Sequence, residues 1–193
     1  MARLTFCVAR RHMQTQNPSG RGQALLLGVK TGDPLFTIMC AMNATPKVAK
    51  WGEPPAMDAG APNPALYSDE TGLSCAYVIG ATHSESGSSA ILHFDGVLYY
   101  AMGYPNDEVL NAHPLYGKGL QFYDFHVVEN SPLIVDLDRR NQVHKQHVAG
   151  NYVKRFRHWI ITFHDETLEV VARNARFVRT SEKEPGRAVR EPV

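Results

Sequence analysis

A chain of 193 residues is long enough to bury a hydrophobic core without disulfide or metal staples. Its 44% hydrophobic and 20% charged residues match a globular domain and exclude a wholly disordered or fibrous chain. The longest apolar runs, at 38–42 and 97–102, fall far short of the roughly 18 residues a membrane-spanning helix needs. The net charge of +1 hides an asymmetry. Residues 1–138 hold 8 Lys and Arg against 13 Asp and Glu, whereas residues 139–193 hold 12 against 6. A solvated face or an intrachain match explains this simply. The sharper reading is an anion site or a complementary surface between subunits.

The three cysteines, Cys7, Cys40 and Cys75, lie in apolar, strand-like stretches and read as buried reduced thiols. The first residues carry no apolar run of signal-peptide length. Both features lead us to expect a cytoplasmic protein.

The chain opens with alternation at Leu4, Phe6 and Val8, the pattern of a half-buried strand. Residues 24–29 and 35–42 are apolar on both parities and read as buried strands around the turn at 31–34. Residues 44–71 carry Pro46, Pro54, Pro55, Pro62 and Pro64 and show almost no periodicity. They are expected to form a long ordered loop anchored by Trp51. A strand follows at 72–81. Residues 90–102 predict a hairpin about Asp95-Gly96, with Phe94 opposite Val97 and Leu92 opposite Tyr99. Residues 103–119 concentrate Asn106, Asp107, Glu108 and His113 between turn residues, which is common site material. A strand at 121–129 puts Tyr123, Phe125 and Val127 on one face and Asp124 and His126 on the other.

A helix begins at Ser131, with Pro132 in its first turn. Its apolar stripe of Leu133, Ile134 and Leu137 extends on phase to Asn141 and His144, which are expected to be buried and hydrogen-bonded. The segments 156–163 and 168–173 predict a second hairpin about Asp165-Glu166. Trp159, Ile161, Phe163, Leu168 and Val170 occupy its apolar face, and His158, Thr162, His164 and Glu169 lie on a wet one. Residues 180–193 form a polar tail with one apolar opportunity, Ala188-Val189. A single domain over 1–179 with this tail follows. Strands outnumber helices and hairpins dominate. The expected fold is α+β, a bent antiparallel sheet or partly open β-barrel with one main helix packed on it.

Six of the nine histidines lie between positions 113 and 164, so metal binding needs testing. His158 and His164 are six residues apart, roughly 20 Å along a strand, and cannot share an ion. His144 and His147 lack a third ligand. No metal site and no cofactor is expected. Acid–base chemistry fits better: a two-residue turn places Glu169 opposite Thr162 and diagonal to His164, and a carboxylate raises an imidazole's pKa. The acid–base candidates are His126, His164 and Glu169. Asp124, His113, Arg157 and Arg173 are the candidate ligand contacts. The run at 83–89 could offer amides to an anion, but neither a P-loop nor a G-x-S-x-G elbow is present. The expected function is an enzyme or binding protein for a polar, anionic small molecule. The alternative is a non-enzymatic interaction module docking through its long loop and basic C-terminal part. A homo-oligomer is expected, with tail or loop in the contact. No membrane is expected as a partner, and nucleic acid is disfavoured by the near-zero net charge.

Overall fold

The computed structural model describes residues 44–80 and 87–190. The strands expected near Leu4, at 24–29 and at 35–42 lie outside the described residues, as do Cys7, Cys40 and most of the 83–89 run. Nine strands form two antiparallel sheets. One sheet has five strands, in the order β1 (Lys47–Lys50), β6 (Phe125–Glu129), β7 (Arg157–Thr162), β8 (Thr167–Ala172) and β5 (Tyr99–Gly103). The other has four, in the order β2 (Ala65–Ser68), β3 (Gly72–Val78), β4 (Ser89–Asp95) and β9 (Asn174–Thr180). The main helix is α1 (Pro132–Arg140), followed by the short helices α2 (Asn151–Arg155) and α3 (Pro185–Ala188). The architecture is thus α+β with antiparallel sheets, and the sheets do not close into a barrel. No helix among the described residues is long and apolar enough to cross a membrane.

The sheets pack face to face. Leu73, Cys75 and Tyr77 of β3 and Leu92 and Phe94 of β4 share one core with Phe125, Trp159, Ile161, Leu168 and Val170. Aromatic rings bridge the layers: Tyr77 lies 5.2 Å from Phe125, and Phe94 lies 5.7 Å edge-on from Trp159. Each inner strand therefore alternates, as an antiparallel sheet with one face in the core must.

Both outer faces are covered at least in part. Leu110, Leu115 and Leu120, from the segment between β5 and β6, pack on Val48, Val128 and Ile160 of the five-stranded sheet. Gly119 permits this approach with φ at +114°, and an added Cβ there would stand 2.5 Å from the Val48 carbonyl. On the four-stranded sheet, Ala188 and Val189 sit on Ala76 and Ile91.

Several expectations are corrected. Asp95-Gly96 turns the chain, but into the other sheet. Both edges of β4 are taken by β3 and by a seven-residue pairing with β9, so β5 pairs with β8 instead. Residues 44–71 are not one loop, because they hold β1 and β2. Four-residue strands are too short to show a period among five prolines. Two of those prolines bond through their carbonyls: Pro62 O accepts from Val78 N at 2.8 Å, and Pro55 O from the Tyr77 hydroxyl at 2.7 Å. Trp51 is an anchor, its ring 6.2 Å from that of Trp159. The helix starts as expected, Ser131 Oγ accepting from Ile134 N at 3.3 Å. It ends at Arg140 in a 3-10 turn, which breaks the phase, so Asn141 is half-buried and His144 exposed. The buried polar residue is instead Asp138, which accepts from Gly150 N and Tyr152 N at 2.9 and 3.2 Å. The described part of the tail docks on its own sheet through Ala188 and Val189.

Candidate functional site

The 158–173 hairpin has the expected faces but not the expected register. The β7–β8 connection spans four residues, closed by Phe163 N to Glu166 O at 2.9 Å, so Thr162 pairs with Thr167 and Ile160 with Glu169. A shift of two leaves every side chain on its face but changes its neighbours. Glu169 is therefore diagonal to His158, and His164 is left in the loop. The face is not wet either. His126, His158 and Thr162 are each about 1% exposed, because the segment between β5 and β6 covers them.

Glu169 is held between two imidazoles. His113 Nε2 lies 3.0 Å from Oε1, and His158 Nε2 lies 3.0 Å from Oε2. His113 is brought there by the 3-10 turn Asp107–Ala112. Leu115 N donates to its Nδ1 at 3.1 Å, which assigns the proton to Nε2. His158 Nδ1 lies 2.9 Å from Ser131 Oγ, which already accepts from the helix. The hydroxyl therefore donates to Nδ1, and His158 Nε2 donates to Glu169. Burial pushes the Glu169 carboxyl up, but the hydrogen bonds from His113 and His158 outweigh it and hold the pKa at about 2. Every proton in the chain from Ser131 to Glu169 has an acceptor, and each carboxylate oxygen is held by one imidazole. Chemically this is a clamp tying the covering segment and the helix start to β7 and β8.

The other expected residues lie apart from it. His126 donates from Nδ1 to Ile160 O at 3.2 Å and accepts from Gln121 N at 3.1 Å. Burial lowers its pKa. His164 stacks on Tyr123, 6.1 Å between centroids. Its Nδ1 lies 2.9 Å from Asp165 Oδ1, a bond that raises its pKa, with Asp107 adding to it. Asp124 pairs with Lys50 at 2.7 Å. Arg157 and Arg173 do come together. They line a cavity of about 200 Å³ at the mouth between the sheets, beside Trp51 and Trp159.

A larger cavity, about 500 Å³, lies on the outer face of the four-stranded sheet beside the docked tail. Its floor is a row that crosses all four strands. Tyr67 of β2 pairs with Ser74 of β3, Ser74 with His93 of β4, and His93 with Arg176 of β9. These residues line the cavity together with Asp95 and Arg190. Ser74 Oγ and His93 Nδ1 are 2.9 Å apart. His93 Nε2 is shut away from solvent with no hydrogen-bond partner. Burial lowers the His93 pKa, the Arg176 charge lowers it further, and Asp95 opposes both. No ion pair among the described residues engages Arg176, Arg190 or Asp95, whereas Arg139 and Arg140 pair with Asp136, and Arg187 with Glu184. Sequence reading missed this site because its residues come from four strands and the tail, spread from Tyr67 to Arg190. The only local signal was polar residues alternating with core residues, at Ser74 and His93.

No protein-family model, curated protein or solved structure matches the chain. Among the described residues, no group of three or more His, Cys, Asp or Glu side chains is placed to hold a metal.

Proposed function

We propose that the chain is a binding protein for a small polar ligand with an anionic group, seated in the cavity on the outer face of the four-stranded sheet. The observation that carries this reading is that Arg176 and Arg190, on the wall of a cavity of about 500 Å³, have no ion-pair partner among the described residues. That volume lies within the range of small-molecule sites, roughly 300 to 1,000 Å³. Basic side chains without partners are free to take an anion. Tyr67 and Ser74 offer hydroxyls beside them. The closed hydrogen bonding of Glu169 supports a clamp rather than an acid–base group, which favours binding over catalysis. A reducing, cytoplasmic setting goes with this reading; in its support, Cys75 is fully buried, and burial keeps its thiol protonated.

The test is a titration of the protein with butanoate and with inorganic phosphate, followed by amide and imidazole resonances. Shifts are expected at Ser74, His93 and Arg176, and should be lost in Arg176→Gln. An unchanged spectrum with either anion at about 10 mM, far above useful affinities, would sink the reading.

A further inference from the structure

Resting on that reading, we propose that the ligand is a small aminocarboxylate, its carboxylate held at Arg176 and Arg190 and its ammonium at Asp95. Asp95 is two residues beyond His93 on β4 and so stands on the same face. Its partner across the ladder is Asn174, so Arg176 is its diagonal neighbour, roughly 7–8 Å away between backbones. That is within reach of a long side chain. Yet neither Arg176 nor Arg190 forms an ion pair with Asp95, although all three line one cavity. The wall therefore carries opposite charges that are left to be answered by something else.

A simple anion answers only one of them and brings its own charge near the Asp95 carboxylate. A molecule with a carboxylate at one end and an ammonium at the other answers both. The second acid of the cavity has one oxygen engaged. Asp69 Oδ1 accepts from Thr71 N at 2.7 Å, from Thr71 Oγ1 at 2.6 Å and from Gly72 N at 3.2 Å. Asp95 has no such engagement on either oxygen and stands on the same face as Arg176, so it is the carboxylate better placed to take a cation. Val189 also lines the cavity and supplies an apolar wall for carbon atoms.

The experiment compares ligands that differ only in the ammonium: 4-aminobutanoate against butanoate, and alanine against propanoate, by calorimetry on the full chain. In at least one pair the aminocarboxylate is expected to bind about tenfold tighter than its parent acid. Asp95→Asn should remove that advantage, by weakening the aminocarboxylate and relieving the repulsion of its parent acid, while Arg176→Gln should weaken both ligands. Asp95 is exposed, so the variant should keep the wild-type thermal midpoint, which confirms its fold. Equal binding of the two members of each pair overturns the aminocarboxylate and leaves the anion site standing. An advantage that survives Asp95→Asn also overturns it. Failure of all four ligands, with no effect of Arg176→Gln, overturns the site itself.

Discussion

Glu169→Gln isolates the clamp. The carboxylate pKa falls from 4.5 to about 2 on folding, a shift worth about 3 kcal/mol, since each unit is about 1.4 kcal/mol. The side chain is 28% exposed, so most of that figure survives solvent screening. The folded pKa is depressed, so this stability is present above pH 4.5 and is lost as pH falls towards 2. Gln keeps one acceptor but turns an NH2 group against an imidazole N–H, and so should cost about 2–4 kcal/mol at pH 6. Urea unfolding of both proteins at pH 6 and pH 2.5 is the assay. The advantage of wild type should shrink by about 2–3 kcal/mol between the two. Other carboxylates with lowered pKa values, Asp69, Asp107, Asp136 and Glu182, titrate in the same window. They do so in both proteins, so the difference reports Glu169. Parallel stability profiles for the two proteins would refute the clamp.

Ser131→Ala removes both the helix cap and the donor to buried His158 Nδ1. It is expected to cost about 1–3 kcal/mol by thermal or urea unfolding, and a loss under about 0.5 kcal/mol would contradict the hydrogen-bond assignment. Gly119→Ala drives a Cβ to 2.5 Å from the Val48 carbonyl at a φ of +114°. A cost of about 2 kcal/mol or more is expected, with faster amide exchange in 110–120, because the covering segment must lift from β1.

The legible parts of the fold were those with strong local signals. Ser131-Pro132 declares a helix start through its own chemistry. The apolar face of β7 and β8 is set by alternation at Trp159, Ile161, Leu168 and Val170, and an error of two in register cannot disturb it. That same error moved Glu169 from His164 to His158, so the faces were readable while the pairing was not. The turn at Asp95-Gly96 was read as a hairpin because two-residue turns close hairpins locally. Which sheet receives β5 depends on β9, nearly eighty residues further on, and no local pattern carries that. Of the candidate site residues, His113 meets Glu169, and Arg157 meets Arg173 in one cavity. Their partners come from other segments, through a 3-10 turn for His113 and a sheet end for the arginines.

The topology restricts where this chain can hold a ligand. Two sheets packed face to face spend both inner faces on the core, so side chains able to meet a solute must lie on outer faces, at the mouth or in loops. The five-stranded sheet turns its outer polar residues towards the segment carrying Leu110, Leu115 and Leu120. There every imidazole nitrogen of His113, His126 and His158 has a partner. Among the described residues, the four-stranded sheet is covered by a short tail, which seals the row at Ala76 and Ile91 and stops one row short of Ser74 and His93. Among the described residues that polar row keeps its charges unpaired, at Arg176 and Asp95. Leaving those charges unpaired while the other outer face satisfies its own is the contrast on which the proposed binding surface rests.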